Sequence, residues 1–166
     1  MPPISSQLLP EFTHEMAGTR KAIERIPEDK LDWRPHPRSA AMGRLGVHLV
    51  ELAGFASRVL ASESFDMRPA GAALPPLQLG SRAEILAAFD RNLAAAKAAI
   101  ATTEDAAWTA PWTLLSNGLV VFQLPRLAVL RSSVLNHSIH HRAQLTVYLR
   151  LHDVPVPALY GPSADE

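Results

Sequence analysis

Apolar side chains recur every three or four residues in four long segments of this chain, and this spacing constrains the fold more than any other feature. It places the apolar side chains on one face of an α-helix, because a helical turn has about 3.6 residues. In chain order, the four apolar series are Leu8, Leu9, Phe12, Met16, Thr19, Ile23 and Ile26; Leu45, Leu49, Leu52, Ala56 and Val59; Ile85, Phe89, Leu93, Ala96 and Ile100; and Leu127, Leu130, Val134, His137, His141, Gln144, Tyr148 and Leu151. The sequence therefore predicts four helices that each bury one face.

Prolines and a serine set the expected ends of the first two helices. Pro10 is expected in the first turn of the first helix, because deeper inside a helix a proline removes a backbone hydrogen bond. Pro27 ends this helix, since the residue before a proline avoids helical geometry. Ser39 is the expected N-cap of the second helix, which continues to about Ser62.

The last two helices also have recognisable starts. Ser81 and Glu84 form a capping box, in which each side chain accepts a hydrogen bond from the backbone N–H of the other residue. The third helix therefore begins after Ser81. The fourth helix is expected to begin near Pro125 and to continue to about His152.

The connections define how the four helices are joined. Residues 64–80 are rich in proline and glycine and cannot be helical throughout. This connection can extend to about 55 Å, whereas a 20-residue helix is about 30 Å long, so it is long enough to let helices 2 and 3 run parallel. Asn117-Gly118, between two apolar runs, predicts a hairpin with a type I′ turn. The predicted fold is all-α, a four-helix bundle with a long crossover between helices 2 and 3 and a short hairpin before helix 4.

Length and composition limit the class of protein. A chain of 166 residues has room for one domain, which we expect to span residues 1–166. The formal net charge of 0 predicts no binding to nucleic acid or to an anionic membrane surface, and no apolar run is long enough to span a bilayer. The absence of cysteine excludes a disulfide scaffold, a thiolate metal site and a cysteine nucleophile. Because the N-terminal sequence does not resemble a signal peptide, we expect a cytoplasmic protein.

Two histidines occupy the apolar series of the fourth segment. His137 and His141 are four residues apart, so on a helix their Cβ atoms lie about 5–6 Å apart and both imidazoles can bind one ion. His48, near the apolar face of the second helix, is the expected third ligand. Three neutral imidazoles suit Zn, Ni, Cu or Fe and leave a position open for water or substrate, as in catalytic metal sites. The alternative is a set of core histidines that hydrogen-bond carbonyl or carboxylate groups.

Five further residues are candidates for the surroundings of this site. Glu51 can orient the ligand imidazole of the second helix or accept a proton, and its alternative is a solvated helix face. Gln144 can hold a bound water, or it can simply pack within the helix. His140 lies at the shoulder of the apolar face, where a rim position is the alternative to a place beside the ligands. In the loop before the second helix, Trp33 can form a pocket wall and His36 can approach the mouth of the site, or they are a loop anchor and an exposed side chain. No residue is identified as a general base.

Three stretches of the chain carry a pattern known from one protein family. They are Leu31-Asp32-Trp33-Arg34-Pro35-His36-Pro37 with Gly43, Leu45, His48 and Leu49; Asn136-His137-Ser138 with His141, Arg142, Gln144, Leu145 and Tyr148-Leu149-Arg150; and Val154-Pro155-Val156-Pro157 with Tyr160-Gly161-Pro162-Ser163. In these stretches the chain resembles the DinB/YfiT-like superfamily of small bacterial metal-binding four-helix bundles. The N-H-x-x-x-H-R-x-Q block is the most specific part of the resemblance.

The resemblance implies a bundle that is often a homodimer and that binds one divalent transition-metal ion through His48, His137 and His141. The implied ion is Zn or Ni, with Fe or Mn as alternatives. Characterised relatives include thiol transferases that use low-molecular-weight thiols and a maleylpyruvate isomerase. The resemblance therefore favours a metal-dependent enzyme that activates a thiol or water for group transfer, with a hydrolase as the close variant. The alternative is a non-catalytic dimeric helical bundle whose histidine cluster or metal is structural. The apolar run at residues 118–124 is the expected contact surface of a dimer.

Overall fold

The computed structural model describes residues 2–166, and most of this length is helical. The helices are α1 (Ile4–Glu24), α2 (Met42–Ala61), α3 (Arg82–Thr102), α4 (Asp105–Thr109), α5 (Arg126–Val129) and α6 (His137–Arg150), with a π-helical segment (Leu130–Asn136) between α5 and α6 and 3-10 turns at Glu28–Lys30 and Pro69–Gly71. The strands are β1 (Ser64–Asp66), β2 (Pro111–Ser116) and β3 (Leu119–Pro125). None of the helices described in residues 2–166 combines the length and the apolar character that a membrane-spanning segment needs.

The main apolar core lies between the long helices. Phe12 of α1, Leu49 of α2, Phe89 of α3 and Leu149 of α6 are fully buried in it, together with Trp108 of the short helix α4. Most residues of the four predicted apolar series belong to this core or pack against it. The prediction of four helical segments that bury one face each is therefore confirmed.

The start of α1 differs from the prediction. The helix begins at Ile4, so Pro10 lies in its second turn and not in its first. Two contacts with a distant part of the chain extend the helix on the N-terminal side. The backbone N–H of Ile4 donates to Asp105 Oδ1 at 2.8 Å, and the Ser5 hydroxyl donates to the carbonyl of Thr103 at 2.6 Å. These partners satisfy polar groups at the helix end, a contribution that local sequence cannot reveal.

The start of α2 also differs, because Ser39 is not its cap. The helix begins at Met42, and no side chain caps it. Instead, the backbone N–H groups of Met42 and Gly43 donate to the carbonyls of Trp33 and Leu31, each at 2.8 Å. A Cβ atom at position 43 would lie 3.0 Å from the Leu31 carbonyl oxygen, so glycine is what allows the preceding loop to approach this closely.

The start of α3 follows the sequence signal closely. The Ser81 side chain accepts a hydrogen bond from the backbone N–H of Glu84 at 3.2 Å, which confirms the predicted cap. The Glu84 carboxylate accepts from the N–H of Gly80 at 2.7 Å and not from that of Ser81. One of the two bonds of the predicted capping box is therefore present, and the second is made to Gly80, one residue before Ser81.

The connections between the helices contribute three strands, which form one sheet in the order β1-β2-β3. The β2–β3 hairpin is as predicted: its turn residues Asn117 and Gly118 have φ angles of 54° and 74°, as a type I′ turn requires. The sequence does not predict β1, which pairs with β2 in parallel. Asp66, at its end, accepts hydrogen bonds from the N–H groups of Asn117 and Gly118 at 3.0 and 2.8 Å. The chain is thus mostly helical with a small sheet, of which the predicted fold includes the β2–β3 hairpin but not β1.

The inner face of this sheet builds a second, smaller apolar cluster. Trp112 of β2 is fully buried against Val59 of α2 and Val129 of α5. Partly buried side chains from the three strands and from α2 cover them, namely Phe55, Phe65, Leu114 and Phe122. The sheet therefore attaches to the helices beside α2.

The fourth predicted helix is continuous but not uniform. Helical structure runs from Arg126 to Arg150, with π-helical geometry from Leu130 to Asn136. Pro125 precedes it, as predicted. The apolar series is wrong at Leu151, whose side chain is 58% exposed, because the helix ends one residue earlier.

Candidate metal centre

The imidazoles of His48 on α2 and of His137 and His141 on α6 meet in the structure. Each offers one ring nitrogen, and these three nitrogens lie within 4.8 Å of one another. The ring centroids are 5.1 Å apart for His48 and His137 and 4.7 Å apart for the other two pairs. The proximity that the sequence predicts is therefore observed, while the role of these histidines as metal ligands stays a prediction.

The local structure accounts for this arrangement. Residues four apart on a helix are neighbours on one face, which brings His137 and His141 together. The π-helical segment Leu130–Asn136 ends immediately before His137. Such segments are rare and often lie at functional sites. The sequence does not predict this segment, because the spacing of three and four residues between apolar positions is the same on either side of it.

Two of the three imidazoles have an oxygen acceptor at Nδ1. The Nδ1 atom of His48 is 3.0 Å from Oε2 of Glu51, and the Nδ1 atom of His141 is 2.8 Å from Oε1 of Gln144. An ionised carboxylate and an amide oxygen can only accept, so both Nδ1 atoms carry the proton. Both Nε2 atoms then keep a lone pair, which is the tautomer that binds a metal through Nε2.

The third imidazole lies against the second. Nε2 of His137 is 2.9 Å from Nε2 of His141, a hydrogen bond in which a proton lies between the two nitrogens. A hydrogen bond with the backbone of Ser133, one turn earlier, partly offsets the lowered pKa of His137. Nitrogens of the three rings thus lie within 4.8 Å of one another. A divalent cation can bind one nitrogen of each ring at once, so the donor set fits a transition-metal ion.

The pKa values favour the neutral imidazoles that metal binding needs. Burial is the main cause that lowers the pKa of His137 below its ordinary value of 6.5, and the nearby His48 and His140 lower it further. Burial also lowers the pKa of His141, although its hydrogen bond with Gln144 partly offsets the effect. Both imidazoles are therefore neutral at pH 7 and available as ligands.

Glu51 connects His48 with two other parts of the chain. The Arg44 guanidinium donates to both of its oxygens, at 3.2 and 2.8 Å, and the backbone N–H of Leu77 donates to Oε1 at 3.4 Å. Burial by itself would raise the pKa of Glu51, but the hydrogen bonds from His48 and Arg44 outweigh it and lower this pKa to about 2. Glu51 is therefore a permanent acceptor that holds the His48 ring.

The remaining histidine candidates lie farther from the three nitrogens. His140 is exposed, and the edge of its ring contacts His141 with 4.9 Å between the ring centroids. His36 is exposed in the loop before α2, where its Nδ1 accepts from the backbone N–H of Arg38 at 3.1 Å. His140 thus lies at the rim of the cluster, and His36 has a partner within its own loop.

Trp33 lies toward the C-terminal end of α6. Its ring contacts Tyr148 edge-on, with 5.5 Å between the centroids, and His152, with 4.3 Å. Tyr148 follows His141 by two helical turns. Trp33 therefore anchors the loop before α2 to this end of the helix.

A cavity of about 320 Å³ adjoins His48 and His137. Its other lining residues are Glu51, Leu52, Phe55, Phe65, Met67, Leu114 and Ser133. Sequence analysis missed Phe65 and Met67, because they lie in a connection that proline and glycine mark as irregular. The apolar stretch around β1 is too short for its periodicity to predict a strand.

Three comparisons with known proteins relate the chain to others. A sequence profile described as the DinB superfamily matches residues 11–145. A solved structure of a DinB-like protein from Bacillus cereus has a TM-score of 0.70 and 21% identity, and the alignment covers 95% of this chain and 98% of that one. A DinB-like protein from Bacillus subtilis has a TM-score of 0.71 and 15% identity, with 94% and 99% covered. At these identities the two structures are similar in fold. No curated protein sequence matches this chain.

Proposed function

We propose that this chain, which belongs to the DinB superfamily, binds one divalent transition-metal ion through His48, His137 and His141 and is a metal-dependent enzyme of group transfer. The observation that carries the proposal is the arrangement of the rings: one nitrogen of each ring lies within 4.8 Å of the others, and the oxygen acceptors at Nδ1 of His48 and His141 leave Nε2 of those two rings free for an ion. Zn or Ni is the proposed ion, with Fe or Mn as alternatives, because imidazole accepts each of them. The second substrate is a thiol of low molecular weight or water.

A bound divalent ion supplies Lewis acidity and lowers the pKa of a thiol or a water molecule. The residues of the chain do the rest. Three protein ligands leave positions open, and the cavity beside His48 and His137 gives a substrate access to them. The hydrogen bond from His48 to Glu51 fixes the tautomer and the orientation of the ring.

The environment of Glu51 distinguishes its two candidate roles, orienting the His48 imidazole and accepting a proton. A general base works best when its pKa lies near the working pH. The pKa of Glu51 is about 2, and its oxygens are occupied by His48 and Arg44. We therefore assign it to positioning and not to proton transfer.

The fold and assembly extend the proposal. We propose one four-helix bundle domain in which residues 64–80 cross between parallel α2 and α3, in a cytoplasmic protein. We also propose a homodimer through the hairpin, where Leu119 and Val120 are 73% and 65% exposed. Light scattering at micromolar concentration is expected to give the mass of a dimer, and the mass of a monomer would contradict this assembly.

One observation favours the non-catalytic alternative. Nε2 of His137 and Nε2 of His141 are close enough to share a proton, so the cluster can satisfy part of its own hydrogen bonding without an ion. A metal that binds but supports no chemistry would favour a structural role as well.

Metal analysis of purified variants tests the site. We expect about one equivalent of metal in the wild type and almost none in His141→Ala, because two imidazoles bind much more weakly than three. His140→Ala is the matched control, since this neighbouring histidine is exposed and is expected to keep the metal. Equal metal content in all three proteins, each shown to be folded by circular dichroism, would reject the site.

A separate assay distinguishes the enzyme from the scaffold. The metal-loaded protein is mixed with glutathione and 1-chloro-2,4-dinitrobenzene, and formation of the thioether is followed by absorbance. A metal-dependent rate that His141→Ala lacks supports thiol transfer. Metal binding without any acceleration of this reaction or of ester hydrolysis would favour the structural alternative.

A further inference from the structure

We propose that the cavity beside the three histidines, defined above by its nine lining residues, binds an uncharged apolar group of the substrate, about the size of one aromatic ring. The inference rests on the proposed function, because the histidines are taken as the metal-binding end of the same site. The inference adds the chemical class of the substrate group that binds beside the histidines.

The walls of the cavity come from three separate elements. Phe65 of β1 and Leu114 of β2 are register partners in the parallel strand pair, so their side chains stand side by side. Phe55 of α2 meets Phe65 edge-on, with 6.0 Å between the ring centroids. Met67, immediately after β1, completes this side, and its backbone N–H is held by the carbonyl of Leu115 at 2.9 Å. The sheet thus supports a preformed apolar wall and not a surface that must collapse around a ligand.

The charges around the cavity exclude an anionic group. Glu51 is the acidic residue of the lining, and none of the described residues that line the cavity is Lys or Arg. The Arg44 guanidinium is held by Glu51, and the Arg58 guanidinium lies over the Phe65 ring, 4.4 Å from its centroid. In the metal-free protein, a carboxylate or phosphate in the cavity would lose water without gaining a Lys or Arg partner from the lining, which is unfavourable.

The size and position of the cavity complete the assignment. About 320 Å³ is at the small end of ligand pockets and suits one substituted ring, not a nucleotide or a peptide. Because His48 and His137 belong to the lining, a group bound there lies beside the ring nitrogens. The reacting atom of such a substrate is then next to the open side of the histidine cluster.

Binding of 4-fluorotoluene to the full chain tests the apolar cavity without depending on a metal. ¹⁹F NMR is expected to show saturable binding to the wild type. Leu114→Asn is expected to weaken it about tenfold, because an amide replaces an apolar wall. Leu151→Asn is the matched control, because the same substitution at this exposed leucine after α6 lies outside the lining and outside the hairpin. Absence of saturable binding, or equal weakening in both variants, would overturn the proposal.

Competition in the wild type keeps the test decisive if Leu114→Asn fails to fold. In the metal-free protein, toluene is expected to displace 4-fluorotoluene, and benzoate at the same concentration is expected to leave it bound. Displacement by benzoate at a similar concentration would show that the cavity accepts an anion and would contradict the proposed substrate class.

A Co²⁺-loaded sample separates the cavity from the metal. Phenylmethanethiol and 2-mercaptoethanol are titrated while the thiolate-to-cobalt absorption is followed, and the aromatic thiol is expected to bind about tenfold or more tightly. Cobalt binding with equal affinities for the two thiols would overturn the placement of the cavity next to the ion. If 4-fluorotoluene binds but Co²⁺ does not, the apolar cavity is supported and the proposed metal function fails.

Discussion

Helix α6 carries two clusters of polar groups on different faces, and the clusters differ in how completely their hydrogen-bonding atoms are paired. Toward α2 it presents His137 and His141 to His48. Toward α1 it presents Arg142, which is 2% exposed. The Arg142 guanidinium donates to the backbone carbonyl and to Oε2 of Glu15, both at 2.8 Å.

In the arginine cluster, which consists of Arg142, Glu15 and Tyr160, the side chains pair with one another. Tyr160 accepts from Arg142 and donates to Oε2 of Glu15 at 2.8 Å, so the charges and the hydrogen bonds are matched within the protein. Gly18 leaves room for the guanidinium, because a Cβ atom there would lie 2.9 Å from Nη1 of Arg142. The bonds of this cluster join α1, α6 and the C-terminal segment, in which Tyr160 is 67% exposed.

The histidine cluster is open by contrast. The Nδ1 atoms of His48 and His141 have protein acceptors, while one nitrogen of each of the three rings lies within 4.8 Å of the others. The comparison teaches that a group of polar side chains on a helix does not by itself indicate function. A cluster whose donors and acceptors match stabilises the fold, whereas converging imidazole nitrogens have the donor chemistry that a cation needs.

The largest effect expected from this comparison is on stability. Arg142→Met leaves the Glu15 carboxylate without its buried partner and is expected to lower the free energy of unfolding by about 3–5 kcal/mol. Arg131→Met, which removes an exposed ion pair with Glu11, is the control and is expected to cost about 0–1 kcal/mol. Urea denaturation measures both. A similar small loss in both variants, or loss of the metal stoichiometry in a folded Arg142→Met protein, would erase the distinction between the clusters.

Glu51→Gln is expected to lower metal affinity, whereas Arg142→Met is expected to lower stability. The amide orients the His48 ring less well than the carboxylate does, and metal affinity is expected to fall about 10–100-fold. Competition with a chromophoric chelator measures this affinity. Glu63→Gln, an exposed control, is expected to change nothing. Unchanged affinity in Glu51→Gln would show that the hydrogen bond to His48 does not support the site.

Acid is expected to act on the histidine cluster and not on the arginine cluster. The folded pKa values of His137 and His141 are depressed, so the unfolded chain binds more protons than the folded one below about pH 6.5. The metal-free protein should keep its full stability above pH 6.5 and lose part of it as the pH falls through the folded pKa values. The groups that face these rings are His48, His140 and Glu51, and Glu51 stays ionised above pH 5 because its pKa is about 2.

Urea denaturation between pH 5 and 7 measures this dependence. His141→Ala is expected to reduce the slope of stability against pH, because one of the depressed groups is removed. Arg131→Met is expected to keep the slope, since it removes only an exposed guanidinium, which does not titrate in this range. An unchanged slope in His141→Ala would contradict the assignment.

The smallest effect is expected at Tyr160. Tyr160→Phe removes one hydroxyl from the arginine cluster and should lower the free energy of unfolding by about 1 kcal/mol, while the salt bridge between Arg142 and Glu15 remains. Metal content should not change. A loss as large as that of Arg142→Met would mean that the hydroxyl, and not the ion pair, holds the cluster together.

Local patterns explain what the sequence could predict. The Asn117-Gly118 turn, the Ser81 cap and the i, i+4 spacing of His137 and His141 depend on neighbours in the chain, and the structure has each of them. The proximity of His48 followed from its place near the apolar face of the second helix and from the family pattern.

Long-range contacts explain the rest. The extended start of α1 depends on Asp105, and the start of α2 depends on carbonyls of the preceding loop instead of on Ser39. Strand β1 exists because it pairs with β2, and its own residues have no strong strand signal. For the same reason the sequence could not reveal that Arg142 has Glu15 as its partner or that Phe65 forms a cavity wall.

The hydrogen bond from Leu77 to Glu51 has a consequence for how such proteins diverge. Through it, the connection between α2 and α3 reaches the same carboxylate that holds His48. An insertion or deletion in this connection is therefore expected to change the proposed metal affinity while His48, His137 and His141 stay in place.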